Sequence, residues 1–588
     1  MKKAIKTMAL LLAVIFTVSI SLAGCAGKQE SAGGSSAQSA ALTQTQAGTE
    51  AAPEKVTLKL YGPATGYSLT DGVQDDPVSK EIQRVTGVTI DLDAHPDDAK
   101  FNAMLASGDL PDLLVVDKTS AQTAPDIVKT MLQGNMLLPL DDLIQTDGPD
   151  ISKLGKILDF DRKYYSNGDG KLYAVQGYID PTPAKGSDSG IGPLLRWDYY
   201  AELGYPQLKS RDDWLKLVSD MLAKHPTTDD GKKRYGFSLF FEWGWLAAFQ
   251  HTGDICKSLE GQSIVTGRAG FTEYDMEKDT VRSSVASEDS ALWEAVEFYY
   301  KANKMKLLDP DTFTNKWDNV VQKATDDRVL SSMWNWAYGD INKKLNPEGK
   351  GYEIVPMNSK VFAEGTASPM GVSYRLWTIP KASSNPGAAM RLMNYLFSAE
   401  GARTVLSGIL GTNYVEKDGK LVIPPSEVDK QKTDTNWTIN TGIKKYNNFS
   451  GLGPDFVDPQ YNLPVSLWSD TTHYEVPVDL NPFEKAYCEH YGIANMVDKY
   501  AYLEKSTFNG TITSVLSTAP DEIKAIDKGI NDYLGVELPK LLIAKTDEAF
   551  AAGKKAIIAE CRQKGLDKSD AFWLQAQNQA ITEAKQYQ

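Results

Sequence analysis

Val56-Thr57-Leu58-Lys59-Leu60 alternates apolar and polar positions, the period-two pattern of a half-buried strand. Asp76 then offers a helix cap with Pro77 at the first helical position. Val78, Ile82 and Val85 fall on one helical face, and Gly87 closes it. Val88, Ile90 and Leu92 alternate again, and Phe101, Met104 and Leu105 form a second helical face that ends at Gly108. Leu113-Leu114-Val115-Val116 is a continuous apolar run, as in a strand covered on both faces. Strand, helix, strand, helix, strand predicts a parallel α/β sheet.

The same grammar returns downstream. Ser210 caps a helix with Asp213 at its third position, and Trp214, Leu217, Val218, Met221 and Leu222 share one face. Leu292, Val296, Tyr299 and Tyr300 mark another. Asn385-Pro386 opens a third, burying Ala389, Leu392, Met393, Leu396 and Phe397. From about Asp521 the chain reads as helices: Glu522 onward, then Leu541 to Phe550, then Lys554 to Arg562. No fixed-period repeat is present.

Composition narrows the function classes. The 588 residues are 42% hydrophobic and 24% charged, a soluble balance. Only the extreme N-terminus is apolar enough for a membrane, so a multi-span transporter is excluded. A net charge of -15 argues against nucleic acid or an anionic lipid surface as partner, while a locally basic pocket could still take an anionic small ligand. No phosphate loop, His-Glu-x-x-His or Gly-x-Ser-x-Gly occurs, and His95, His225, His251, His473 and His490 lack metal-ligand spacing, so no cofactor and no metal is expected. With 77 acidic residues, some carboxylate pair always suits glycoside hydrolysis on paper, and the sequence leaves that chemistry open.

Lys2, Lys3 and Lys6, an apolar run from Met8 to Val18, and Leu22-Ala23-Gly24-Cys25 make a secretory signal. The last four residues resemble a bacterial lipobox, which implies removal of residues 1–24, lipidation of Cys25 and a mature charge of -18. Ala26 to Pro53 is almost all Ala, Gly, Ser, Thr and Gln, a flexible tether with an r.m.s. reach of roughly 30 Å. Residues 25–53 are therefore read as lipidated Cys and tether. The remaining Cys256, Cys488 and Cys561 are odd in number; three buried thiols are the reading, with a single disulfide as the alternative.

Several segments resemble one family. Met104-Leu105-Ala106-Ser107-Gly108-Asp109-Leu110-Pro111-Asp112, Leu138 to Leu143, Asp169-Gly170-Lys171-Leu172-Tyr173, Arg196 to Gly204, and Asn385 to Gly401 match, in order, motifs of bacterial extracellular solute-binding proteins, family 1. These are receptors of sugar ATP-binding-cassette importers. The longer C-terminal region is similar to their large lipoprotein-type subgroup, associated with oligosaccharide import. The resemblance implies an α/β, two-lobe periplasmic-binding-protein-like fold of type II, with the ligand cleft between lobes and extra C-terminal helices. It implies a first lobe of residues 54–178 plus about 365–425, and a second of 179–364 plus about 426–588. It further implies a monomeric receptor, anchored to the extracellular face of the cell membrane through Cys25, that passes an oligosaccharide to an ABC importer. Some relatives carry an acidic calcium loop where this chain has His225 to Arg234; with two aspartates followed by three cations, calcium is not expected here.

Sugars present C–H faces and hydroxyl belts, which aromatic rings and bidentate polar groups read. Phe240-Phe241-Glu242-Trp243-Gly244-Trp245 and Met333-Trp334-Asn335-Trp336-Ala337-Tyr338 supply Trp243, Trp245, Trp334 and Trp336. Tryptophans at i and i+2 of a strand share a face, which is often simply the core. Tyr61, Tyr67, Asp117, Arg196, Arg375 and Trp377 follow from position, with salt bridging or packing as the alternative. Two other readings stand beside the receptor: a secreted cell-surface polysaccharide-degrading or modifying enzyme, and the same fold binding a peptide or another solute.

Overall fold

The computed structural model describes residues 53–587 apart from 63–69, 94–97, 118–122, 181–191, 358–361, 368–369, 470, 477–478, 497–498 and 500–504. The N-terminal alternation forms as its pattern predicts. Strand β1 (Val56–Tyr61) lies parallel to β3 (Val88–Asp93), with Leu58 opposite Ile90 and Leu60 opposite Leu92, and parallel to β4 (Leu113–Val116) on its other side. The short β2 (Gly72–Val73) runs antiparallel on the edge of β3. Helix Pro77–Thr86 begins where the Asp76 carboxylate accepts the Ser79 N–H at 2.9 Å, and ends at Gly87, whose φ of 75° permits the left-handed cap. All four residues of β4 are buried, as a strand covered on both faces requires.

The sheet is completed from far along the chain. A return strand, Val372–Thr378, inserts antiparallel between β4 and β5 (Val175–Gly177), giving the order β2-β3-β1-β4-return-β5. Asp112, in the turn before β4, ties this arrangement together. One carboxylate oxygen accepts the Lys59 N–H of β1 at 2.9 Å; the other accepts the Ser384 N–H and hydroxyl, each at 2.7 Å, beside helix Pro386–Leu396. Burial opposes ionisation of this carboxyl, but the hydrogen bonds from Ser384 and Lys59 outweigh it and hold its pKa below the usual range.

A second core surrounds the antiparallel strands Ser331–Ser332, Leu194–Arg196 and Tyr352–Ile354. Helices Arg211–Lys224, Gly244–Leu259 and Ala291–Lys304 cover it with Trp214, Phe249, Trp293 and Phe298. The C-terminal helices Asp521–Leu541 and Asp547–Gln563 add Ile530, Leu534, Leu538, Ile557 and Ile558 to the same core. The predicted helical run from Leu541 to Phe550 is instead broken: the Thr546 hydroxyl accepts the Ala549 N–H and starts a new helix at Asp547. The last helix, Leu566–Ala584, leaves the second core at Leu566 and ends with Ala580 and Ile581 against a cluster that includes Phe101, Leu114 and Met131.

The expected passage into the second lobe near residue 426 is not where the packing changes. Val428, Trp437, Tyr446, Phe449 and Trp468 all pack in the first core, with the Trp437 and Trp468 rings edge to face at 4.8 Å. Phe483 is the next side chain to join the second core. Cys256, Cys488 and Cys561 are buried and in no disulfide.

Replacing Asp112 by Ala leaves the Lys59 and Ser384 donors unanswered. It is expected to lower unfolding stability by about 1–3 kcal/mol, read as a shifted midpoint in urea or thermal unfolding; an unchanged midpoint contradicts the tying role.

Candidate functional site

Phe240 to Trp245 is not a strand. Gly244, at φ 87°, turns the chain directly into helix Gly244–Leu259, so the two flanking indoles diverge. Trp243 is 49% exposed, while Trp245 is 5% exposed and donates its Nε1–H to Asn531 Oδ1 at 3.0 Å. Trp334 likewise precedes a 3₁₀ turn, Asn335–Tyr338, rather than lying in a strand. A third indole, Trp317, starts helix Trp317–Thr325, and its backbone N–H donates to Glu242 Oε2 at 3.1 Å. Trp243 and Trp317 stack at 4.8 Å and 30°, and Trp334 stands at 80° to both, 6.2 and 6.1 Å away. Phe240 backs all three at 5.0–6.2 Å. The result is a corner of flat apolar faces that stays open to solvent.

His251 meets Trp334 edge to face at 4.9 Å. It keeps partial solvent contact, yet burial, with the Arg268 charge assisting, pulls its pKa down to about 4. The imidazole is therefore neutral at physiological pH.

The first core gathers a second set of candidates. Arg375, on the return strand, lies over the Tyr178 ring at 4.5 Å and donates to Asn448 Oδ1 at 2.7 Å. Tyr178 follows β5 with a φ of 59°. Phe449 occupies the space beside Gly62, where a Cβ would meet it at 2.4 Å. Residues 442–453 therefore run past the carboxyl ends of β1 and β5, the place where α/β sheets build crevices. Burial, with the Lys343 charge assisting, pulls the pKa of Lys444, also at positive φ, down to about 8.

Several sequence candidates lie elsewhere. Arg196 is buried and ion-paired with Asp198 at 2.7 Å and with Asp327, over the Tyr199 ring, so its charge is used in the fold. Trp377, at 0% exposure, packs on Phe397 in the first core. Tyr61 is buried and stacked on Phe101. Asp117 is half-buried just past β4. Tyr67 and Cys25 lie outside the described residues, as does the Trp336 side chain. The structure thus brings Trp243 and Trp334 together, adds Trp317 and His251, which sequence reasoning missed, and separates Trp245, Trp377 and Arg196 from them. Trp317 stands alone in its segment, without the clustering that marked the others.

In the loop from His225 to Arg234, the Lys232 ammonium lies 3.1 Å from Asp230 and 3.6 Å from Asp326, so a lysine engages those carboxylates. Among the described residues no group of three or more His, Cys, Asp or Glu is placed to hold a metal ion, and no helix is long and apolar enough to cross a membrane. A groove of about 680 Å³ beside Tyr300, Met305 and Phe550 is rimmed by Lys301 and Lys304, which pair with Asp212 and Asp547. That rim is a satisfied, solvated face.

The family model for bacterial extracellular solute-binding proteins matches residues 78–415, more than half of the chain. No curated protein matches the sequence. Among solved structures, alginate-binding protein AlgQ2 without calcium ion superposes with a TM-score of 0.55 at 16% identity, covering 89% of this chain and 98% of that one. The Streptococcus pneumoniae ABC-transporter substrate-binding protein FusA, in complex with kestose, gives 0.55 at 17%, covering 90% and 100%. An HMO-binding, ABC-transporter-associated solute-binding protein from Bifidobacterium longum infantis gives 0.55 at 13%, covering 90% and 99%. These likenesses establish the two-lobe fold.

His251 generates a pH test. The unfolded chain takes up its proton near pH 6.5, the folded chain only near pH 4, so wild-type stability falls as pH drops through that window. His251→Gln removes this contribution and is expected to gain on wild type from pH 6.5 down to 4 in urea unfolding. Parallel pH profiles contradict the buried, neutral imidazole.

Proposed function

The chain belongs to the bacterial extracellular solute-binding proteins, and on that footing we propose that it captures an oligosaccharide between its lobes and delivers it, chemically unaltered, to an ABC importer. The observation that carries this reading is the open corner of Trp243, Trp317 and Trp334. Leaving large aromatic faces in water forgoes burial that a folded core would otherwise take. A pyranose or furanose ring, apolar on one face and hydroxylated at its edge, suits those faces. The indole N–H groups and Arg375 are the hydroxyl readers, with Tyr67 and Asp117 as further candidates because they follow β1 and β4. Trp336 remains a candidate from its place beside Trp334. The kestose and HMO ligands named for two structures of the same fold point to the same class of guest.

Binding acts by shifting a population. A guest that touches both lobes favours the closed form, because only differential affinity moves the equilibrium. The protein works as a monomer held at the cell surface: Cys25 carries the lipid, and residues 26–53 let the body hang off the membrane.

Two measurements test this reading. Calorimetry against an oligosaccharide panel, with product analysis, is expected to show saturable binding of an unchanged sugar. Trp243→Ala and Trp334→Ala are each expected to weaken it by about tenfold or more, with little change in the Trp243→Ala melting temperature. Product formation favours the surface enzyme instead. Silence from the folded protein across the panel, with binding of peptides, overturns the carbohydrate. Separately, Cys25→Ser is expected to move the protein from the membrane fraction to the soluble fraction; retention in the membrane contradicts lipid anchoring.

A further inference from the structure

Two segments far apart in the chain meet at the open indoles. The buried Asn315 side chain donates to Leu239 O at 3.1 Å, and two residues on, the Trp317 N–H donates to Glu242 Oε2 at 3.1 Å. Residues 239–243 and 315–317 therefore run side by side, with the buried Phe240 edge-on to the Trp317 ring at 5.2 Å. Glu242 is the tie next to the stacked rings: it precedes Trp243 in the chain and bonds the backbone of Trp317.

The two rings are held unequally. Trp243 stands on a fixed turn, because the next residues enter helix Gly244–Leu259 and the buried Trp245 is bonded to Asn531. Trp317 opens the nine-residue helix Trp317–Thr325, whose buried side chains are Val320 and Ala324. The first N–H groups of a helix have no partner within it and carry partial positive charge, so a carboxylate is a strong acceptor for them. Lys316, just before this helix, has no side-chain oxygen to serve, and the carboxylate comes from Glu242 instead.

We propose that Glu242 is a positioning residue for sugar capture: its carboxylate holds the Trp317 indole in its stack on Trp243 before the guest arrives. The inference rests on the carbohydrate reading above and deepens it by naming the group that preforms the platform. Rings left in water are ordered either in advance or during binding, and ordering in advance raises affinity. The tie needs an acceptor oxygen at that reach rather than a charge. Glutamine offers one, whereas alanine and lysine offer none.

The test uses the full chain and reads the stack and the affinity separately. Close, skewed indoles couple, and the exciton couplet of this pair is the difference in far-ultraviolet circular dichroism between wild type and Trp317→Phe without guest. Glu242→Ala is expected to shrink that couplet and to weaken binding of an oligosaccharide from the panel by about 3- to 10-fold, the range for one hydrogen bond. Its melting temperature is expected to change little. Glu242→Lys, which keeps a long stem without an acceptor, is expected to do the same, and Glu242→Gln to keep both the couplet and the affinity. Either a wild-type couplet or a wild-type affinity in Glu242→Ala overturns the inference, as does a Glu242→Gln that behaves like Glu242→Ala. In each of these cases carbohydrate capture stands. Binding of no saccharide by the folded wild type overturns the carbohydrate reading and this inference with it.

Discussion

The antiparallel seat of the return strand between β4 and β5 is the constraint on which the architecture depends. Its partners lie some 200 residues or more earlier in the chain, so the first sheet closes only after the chain has passed through much of the second core. Trp377 on this strand fills the first core, and Arg375, two residues before, reaches Tyr178 where the chain leaves β5. One strand therefore joins the packing of a lobe to the segment that connects it to the other. Asp112 reinforces the same seam, binding β1 and the segment after the return strand through one carboxylate.

Around that seam the cores finish themselves, and what they leave over is informative. The buried Arg196, Lys445 and Lys257 each find a carboxylate. Trp214, Trp293 and Trp437 are buried. Against this background the open corner of three indoles is a departure from the rule that governs the rest.

Much of the fold was legible in the sequence because its signals are local. The Asp76-Pro77 cap, the Gly87 stop, the alternation of β1 and β3, and the Asn385-Pro386 start all formed as read. The site was less legible because its determinants are not local. Trp243 and Trp245 invited a strand reading, and one positive φ at Gly244 sent them to opposite environments. Arg196 and Trp377 were correct as conspicuous residues, but their partners Asp327 and Phe397 are distant in sequence and decide their roles. Trp317 carried no local signal: it matters through Trp243, more than 70 residues earlier, and through Trp334. The C-terminal segment around Trp437 to Trp468 gave no periodicity to reveal that it belongs to the first core.

The claim that the two lobes shut over a guest is tested most directly by measuring the distance between them. Spin labels on Lys80→Cys and Lys216→Cys, exposed positions on helices of the first and second cores, can be read by pulsed electron resonance in a Cys25→Ser background, since Cys256, Cys488 and Cys561 are buried. Saturation with a binding oligosaccharide is expected to shift and narrow the distance distribution. An identical distribution with and without bound guest contradicts the account.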